Sequence, residues 1–219
     1  MERTFLVRFA PGRGCAVSVS DEPWKGDLSV TGPDAVTPER IEAAARRKRG
    51  LPLVVAETVT AVGGQRVVMR ELTETDLPAI RRFEAGAEEA AYRLPEELLF
   101  TEPEYLSSYV RSQYPFFDFG LWGLFPGDDG GQLIGLAGFS ADGGEVPRLG
   151  YHIAAAFRRQ GLGYWAAMEA VGWYQREAGG TEAELLIDRT NLPSLRLAEK
   201  LKASCRAKAE RFLVSITIL

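Results

Sequence analysis

Nine residues constrain this chain more than any others: FRRQGLGYW, residues 157–165, set between a strand-like run and a long helical segment. A helix start offers backbone N–H groups with no intrahelical acceptor, together with the positive end of the helix dipole. Gly161 and Gly163 let an anion approach that backbone closely, and Arg158 and Arg159 bring charge suited to a pyrophosphate or a 3′-phosphate. Strand, basic glycine loop and helix, in that order, form an anion cradle. Three phosphate sites share these ingredients. A P-loop is excluded because no Lys-Ser or Lys-Thr follows the glycines. A dinucleotide fingerprint matches formally at 161–166. However, residues 157–160 separate strand from glycine, and a start at 161 leaves too little chain for a doubly wound domain. An acyl-CoA loop of the form R/Q-x-x-G-x-G/A fits at every position from Arg158 to Gly163.

The rest of the chain alternates strands and helices. In the first 64 residues, strand-like pieces at 5–9 and 15–19 precede a helix with Thr37 as cap, Pro38 in its first turn and Gly50 as stop. A strand over 51–59 follows, and Gly63-Gly64 marks a seam. This predicts a small accessory β-α-β region over 1–64 and a larger domain over 65–219. The larger part reads as a strand at 66–72, a capped helix from Thr73, and a helix near 102–113. Strands at 119–125 and 132–140 flank a PGDDGG turn, and a strand at 148–154 leads into the quoted loop. A helix over 163–178, a strand at 182–188, a helix at 191–202 and a closing strand at 211–219 complete the pattern. The fold class expected is α/β (α+β), a mixed, mostly antiparallel sheet flanked by helices.

Composition removes several function classes. A net charge of −4 argues against nucleic acid as a partner. No apolar run approaches a membrane span, and the start of the chain is polar, which predicts a cytoplasmic protein. Cys15 and Cys205 show no metal-ligand spacing, and one histidine, His152, argues against a histidine-based metal site. No metal is expected.

With both segments in view, the sequence resembles the GNAT superfamily of acyl-CoA-dependent N-acyltransferases. Within it, the chain is most similar to the branch that includes ribosomal-protein N-terminal acetyltransferases. The resemblance covers residues 66–219 and rests on two motifs in order: LGYHIAAAFRRQGLGYWAAMEAV, and NLPSLRLAEKL from Asn191. It implies a GNAT-type sheet, acetyl-CoA (coenzyme A) as donor, and a small-molecule or peptide amine as acceptor. It also implies roles. Backbone at Ile153, Ala154 and Ala155 pairs with the pantetheine arm. The N–H groups of Gln160, Gly161, Leu162, Gly163 and Tyr164 hold the pyrophosphate, with Arg158 and Arg159 beside the phosphates. Asn191 touches the pantetheine arm or caps the last helix. Ser194 protonates the leaving thiolate, and a backbone N–H near Ile153 or Ala154 stabilises the developing oxyanion.

Three departures from the family pattern matter. Arg148 stands where many members carry an acidic residue before Gly-Tyr. Ala198 stands where many carry a tyrosine. Lys202-Ala203 replaces Gly-Phe after the last helix. The general base is therefore open. His152 shares a strand face with Arg148 and Gly150 and is one candidate; Glu145, in the preceding loop, is another. Each also has an ordinary reading, as a bonded strand histidine and a solvated loop carboxylate. Asp188 reads either as a candidate base or as the cap of the turn to Asn191. The acceptor pocket is expected from residues 85–114, with carboxylates Glu88, Glu89, Glu96, Glu97 and Asp118 as candidates to attract a cationic amine. The N-terminal region is expected to pack on the domain or to mediate a homodimer. A non-catalytic acyl-CoA-binding module and an NAD(P)-dependent oxidoreductase are the competing readings.

Overall fold

A computed structural model describes residues 6–10, 14–18, 28–30, 37–61, 63–86, 98–127, 131–140, 146–207 and 213–218. The chain divides into two compact units, Met1–Leu53 and Val54–Leu219.

In the first unit, β1 (Leu6–Ala10), β2 (Gly14–Ser18) and β3 (Leu28–Val30) form an antiparallel sheet in that order. Helix α1 (Pro38–Lys48) follows, capped by Thr37, whose Oγ1 accepts the Arg40 N–H at 3.3 Å. Gly50 ends it with φ +67°. Among its described residues the unit runs through three strands and then the helix. The strand after the helix, β4 (Val54–Val59), joins the larger sheet, beside the strand that follows Gly64.

The second unit is a seven-stranded sheet with the order β10-β9-β8-β7-β6-β5-β4. Its other strands are β5 (Arg66–Arg70), β6 (Leu121–Pro126), β7 (Gly135–Ser140), β8 (Arg148–Ile153), β9 (Glu182–Ile187) and β10 (Leu213–Ile218). From β4 to β8 every pairing is antiparallel, and β8-β9 and β9-β10 are parallel. Among the described residues four α-helices accompany it: α2 (Leu77–Ala85), α3 (Pro103–Phe117), α4 (Leu162–Glu177) and α5 (Leu192–Ala207). One core packs Leu149, Ile153 and Phe139 against Ala166, Ala167 and Ala170 of α4 and Ala198 and Leu201 of α5. A second core, carrying Leu121, Phe125 and Leu136, packs against Ala79, Ile80 and Phe83 of α2 and Leu106 of α3. Strand alternation assigns successive residues to these two sides.

Polar anchors set the entry to α2. Arg70 grips Asp76 with two hydrogen bonds of 2.8 Å, and Asp76 also receives the Thr73 N–H at 2.7 Å. A paired guanidinium and carboxylate can be buried where either alone could not. In the middle of the sheet, Gly138 has φ +146°, and a Cβ there would lie 1.9 Å from the Gly120 carbonyl oxygen. Only a residue without a side chain permits β6 and β7 to approach so closely.

Candidate active site

The parallel pairing of β8 with β9 is recorded at one register position, Arg148 opposite Glu184, reinforced by the Glu184 N–H to the Pro147 carbonyl at 3.1 Å. Both strands run on beyond that point. Hydrogen bonding alternates along a strand, so neighbouring residues present their backbone to opposite sides. The Ala154 N–H donates to the Ile134 carbonyl at 2.9 Å, on the β7 side, whereas the Pro147 carbonyl faces β9. By that alternation Tyr151 and Ile153 turn their backbone toward the gap where β9 no longer pairs.

A cleft of about 590 Å³ occupies this region, bounded by β8, the 157–163 loop and the starts of α4 and α5. The loop residues earn their identities by conformation. Arg159 has φ +61° and Gly161 has φ +84°, both left-handed. A Cβ on Gly161 would meet nothing within 4 Å, so its glycine serves backbone conformation, not space. Gly163 is different: a Cβ there would sit 3.3 Å from Leu197 Cδ1, across the approach of α4 to α5. The α4 hydrogen-bond ladder opens with the Trp165 N–H to the Gly161 carbonyl at 2.9 Å. The N–H groups of Gly161 to Tyr164 precede it, at the positive end of a 16-residue helix. Left-handed turns of this kind recur where a backbone bends around an anion.

The sequence candidates fall at this cleft in large part. Ile153, Ala155, Arg158, Arg159, Gly161, Leu162, Gly163, Tyr164, Asn191 and Ser194 line it, as does His152. Gln160 lies in the same loop, its side chain reaching back to the Ala156 carbonyl at 3.4 Å. Ala154 is turned away: its N–H is bonded to Ile134, so of the two oxyanion donors considered, Ile153 is the one directed to the gap. The Ile153 carbonyl receives the Arg158 Nε–H at 2.9 Å. Asn191 proves to be the cap of α5, its Oδ1 accepting the Ser194 N–H at 3.1 Å. Asp188 binds the Thr190 N–H and hydroxyl at 2.7 and 2.6 Å, and these bonds hold its carboxyl below the usual range. It orders the turn into α5. Glu145 and the carboxylates Glu88, Glu89, Glu96 and Glu97 lie outside the described residues. Arg148, where an acid was absent, pairs with Glu184 at 3.5 Å.

Two features of the site were not among the candidates. Tyr151 enters the cleft from β8 and donates its hydroxyl to the Ser194 carbonyl at 3.2 Å. Burial pushes this hydroxyl up to about 12. The Gly-Tyr pair was visible in the sequence, but its hydroxyl partner, 43 residues away, was not. The second is a smaller cleft of about 200 Å³ on the α2 face, where Ala79, Arg82 and Phe83 meet Leu133 and His152. The buried His152 ring packs 4.9 Å from that of Phe83. His152, Ala155 and Arg158 border both clefts, so the two meet at the end of β8.

The residues present fit coenzyme A: left-handed glycine, unladdered N–H groups and two arginines surround one end of a cleft continued by an unpaired strand edge. They do not fit a dinucleotide fold. The strand before the glycines is fifth in chain order within a largely antiparallel sheet, not the first strand of a parallel one. Among the described residues there is no cluster of metal-ligating side chains, and no helix is long and apolar enough to cross a membrane.

Comparison with known proteins agrees. The family described as the acetyltransferase (GNAT) domain matches residues 66–204. No curated protein sequence matches the chain. Among solved structures, the fold is similar to that of a Bordetella pertussis protein described as a GnaT-family acetyltransferase, with TM-score 0.51 and 24% identity over 67% of this chain and 87% of that one. It is also similar to the ribosomal-protein-S5-alanine acetyltransferase of Vibrio fischeri, with TM-score 0.52 and 12% identity over 66% of this chain and 81% of that one. With the family match spanning the loop, both clefts and most of α5, this chain belongs to the GNAT acetyltransferase family and is an acyltransferase that uses acetyl-CoA.

Proposed function

We propose that the chain moves an acetyl group from acetyl-CoA to a primary amine by direct attack while both substrates are bound. The observation that carries this reading is the meeting of the two clefts at His152 and Arg158, one for the donor and one for the acceptor. Bound acetyl-CoA supplies an activated thioester. Its pyrophosphate is assigned to the N–H groups of Gln160 to Tyr164 with Arg158 and Arg159, and its pantetheine arm to the backbone at Ile153 and Ala155. The amine nitrogen must shed a proton as its bond to carbon forms, and the departing sulfur must gain one as its own bond breaks. His152, at the border of the clefts, is assigned the first task. Ser194, lining the donor cleft beside Tyr151, is assigned the second. The Ile153 N–H is the donor for charge developing on the carbonyl oxygen. Glu145 stands as the alternative base.

Thiol release from acetyl-CoA, followed across a panel of amines with mass detection of the acetylated product, tests the reading. Release that depends on an amine, with a product whose mass shows the added acetyl group, is expected. Coenzyme A binding by calorimetry without release for any amine would instead favour a binding module.

A further inference from the structure

We propose that the acceptor is an amine bearing a carboxylate close to its amino group, and that Arg82 is the residue that selects it. The inference rests on the acetyl-transfer reading above. The smaller cleft has apolar walls from Ala79, Phe83 and Leu133, while its charged side chains are Arg82 and Arg158. No aspartate or glutamate lies among its described lining residues. Arg158 is shared with the donor, so the charge that belongs to this cleft alone is Arg82; among the described lining residues no carboxylate offsets it for an ammonium group entering alone, and a polyamine would meet that repulsion several times over. A carboxylate on the same small skeleton reverses the sign, because a guanidinium presents a planar fork of donors matched to two carboxylate oxygens.

Each guanidinium makes a hydrogen bond to the backbone. Arg82 donates through Nη2 to the Gly131 carbonyl, and Arg158 through Nε to the Ile153 carbonyl at 2.9 Å. Each has five N–H donors, so anchoring through one bond leaves others to serve a ligand. Arg158 also borders the donor cleft, whereas Arg82 borders the acceptor cleft alone, so Arg82 distinguishes acceptors without touching the donor. A volume of about 200 Å³ holds the amine-and-carboxylate end of a molecule, room for roughly six waters. A free amino acid and a peptide with an acidic first residue share this chemistry.

The test measures kcat/KM for the full chain at saturating acetyl-CoA with five amines. They are aspartic acid, its diamide, a tetrapeptide beginning with Asp, the same peptide beginning with Asn, and 1,4-diaminobutane. The carboxylate-bearing member of each pair is expected to exceed its neutral partner by about tenfold or more, the size of one charge-assisted contact. Which acidic amine is preferred identifies the source. Arg82→Gln should erase the difference while leaving the KM for acetyl-CoA unchanged, and Arg82→Lys should restore part of it. Equal or better turnover of the diamine or the neutral partners overturns the proposal, as does an unchanged preference in a folded Arg82→Gln protein. Should that variant not fold, the ranking of the five amines by the unaltered chain decides alone. No thiol release with any of the five while another amine of the wider panel is acetylated overturns this proposal and leaves acetyl transfer standing; coenzyme A bound with no release for any amine removes both.

Discussion

Gly138 and Gly161 both hold positive φ, for opposite reasons, and substitution separates them. A Cβ at Gly138 would collide with the Gly120 carbonyl oxygen in the middle of the sheet, so Gly138→Ala should yield no soluble folded protein. At Gly161 the Cβ has open space, and alanine costs about 1–2 kcal/mol of left-handed strain. Gly161→Ala should therefore fold, with a modestly lower melting temperature, while its KM for acetyl-CoA rises several-fold as the loop relaxes. A normal KM would disconnect this loop from the donor. His152→Gln tests the base. The variant should bind acetyl-CoA normally yet lose about 10²–10⁴-fold in kcat. Restored turnover at pH 9–10, about where a free amine needs no base, would strengthen the assignment, and near-normal kcat at neutral pH would transfer the role to another group. At this scale the sequence was informative about the donor, whose loop residues are contiguous and conformationally special. It was nearly silent on the acceptor. Arg82 lies on a helix surface and becomes a cleft residue only because α2 packs beside the 131–133 segment and the end of β8. Strand parity could put His152 on a face, but not say which helix covers that face.

The junction of β8 with α5 shapes the donor cleft through two local bonds that can be broken singly. Asn191 caps α5, and Asn191→Ala should cost about 1 kcal/mol of stability and weaken donor binding together, seen as a lower melting temperature and a higher KM. Tyr151 ties β8 to α5 through the Ser194 carbonyl, with its hydroxyl pushed up to about 12 chiefly by burial, partly offset by its hydrogen bonding with Ser194. The sign of the resulting pH dependence follows directly. Above about pH 10 an unfolded tyrosine releases its proton while the folded one retains it, so the folded state binds more protons and loses stability as pH rises toward the folded value. The contribution is fully present at neutral pH. Denaturant titrations at pH 9, 10 and 11 should show this decline in the natural chain and a smaller one in Tyr151→Phe; parallel declines would mean that other tyrosines, such as the buried Tyr114, carry the effect. The helices were legible because caps, prolines and glycines mark their ends. Asn191 and Thr37 act as caps as their positions suggested. The divergence of β8 from β9 had no sequence mark, because it is a property of two strands and neither alone carries it.

At the scale of the whole chain, the order of strands and helices from residue 66 onward was legible, and the boundary before it was not. Residues 54–59 are rich in the β-branched residues that favour strands, but composition does not name a partner strand. The conspicuous Gly63-Gly64 pair suggested a linker, where the structure has a hairpin turn, closed by the Thr60 N–H to the Gln65 carbonyl at 2.8 Å. Pairing then runs from Val59 opposite Arg66 to Val54 opposite Arg70. We propose that the catalytic unit begins at Val54, and two truncations follow. A chain of residues 54–219 retains all seven strands and both cores, so it should fold, unfold in one transition and keep the KM for acetyl-CoA. A chain of residues 65–219 loses β4 and leaves β5 as an edge with its row of ladder groups unpaired. Val67 and Met69, both fully buried in the complete sheet, lie on that strand. Exposed edges of this kind template association with other chains. The shorter chain should therefore be recovered largely as aggregate, or with a melting temperature well below that of the longer one. Equal solubility and equal melting of the two would return the boundary to the glycine pair and make β4 dispensable. Failure of both would give residues 1–53 a structural duty toward the catalytic unit.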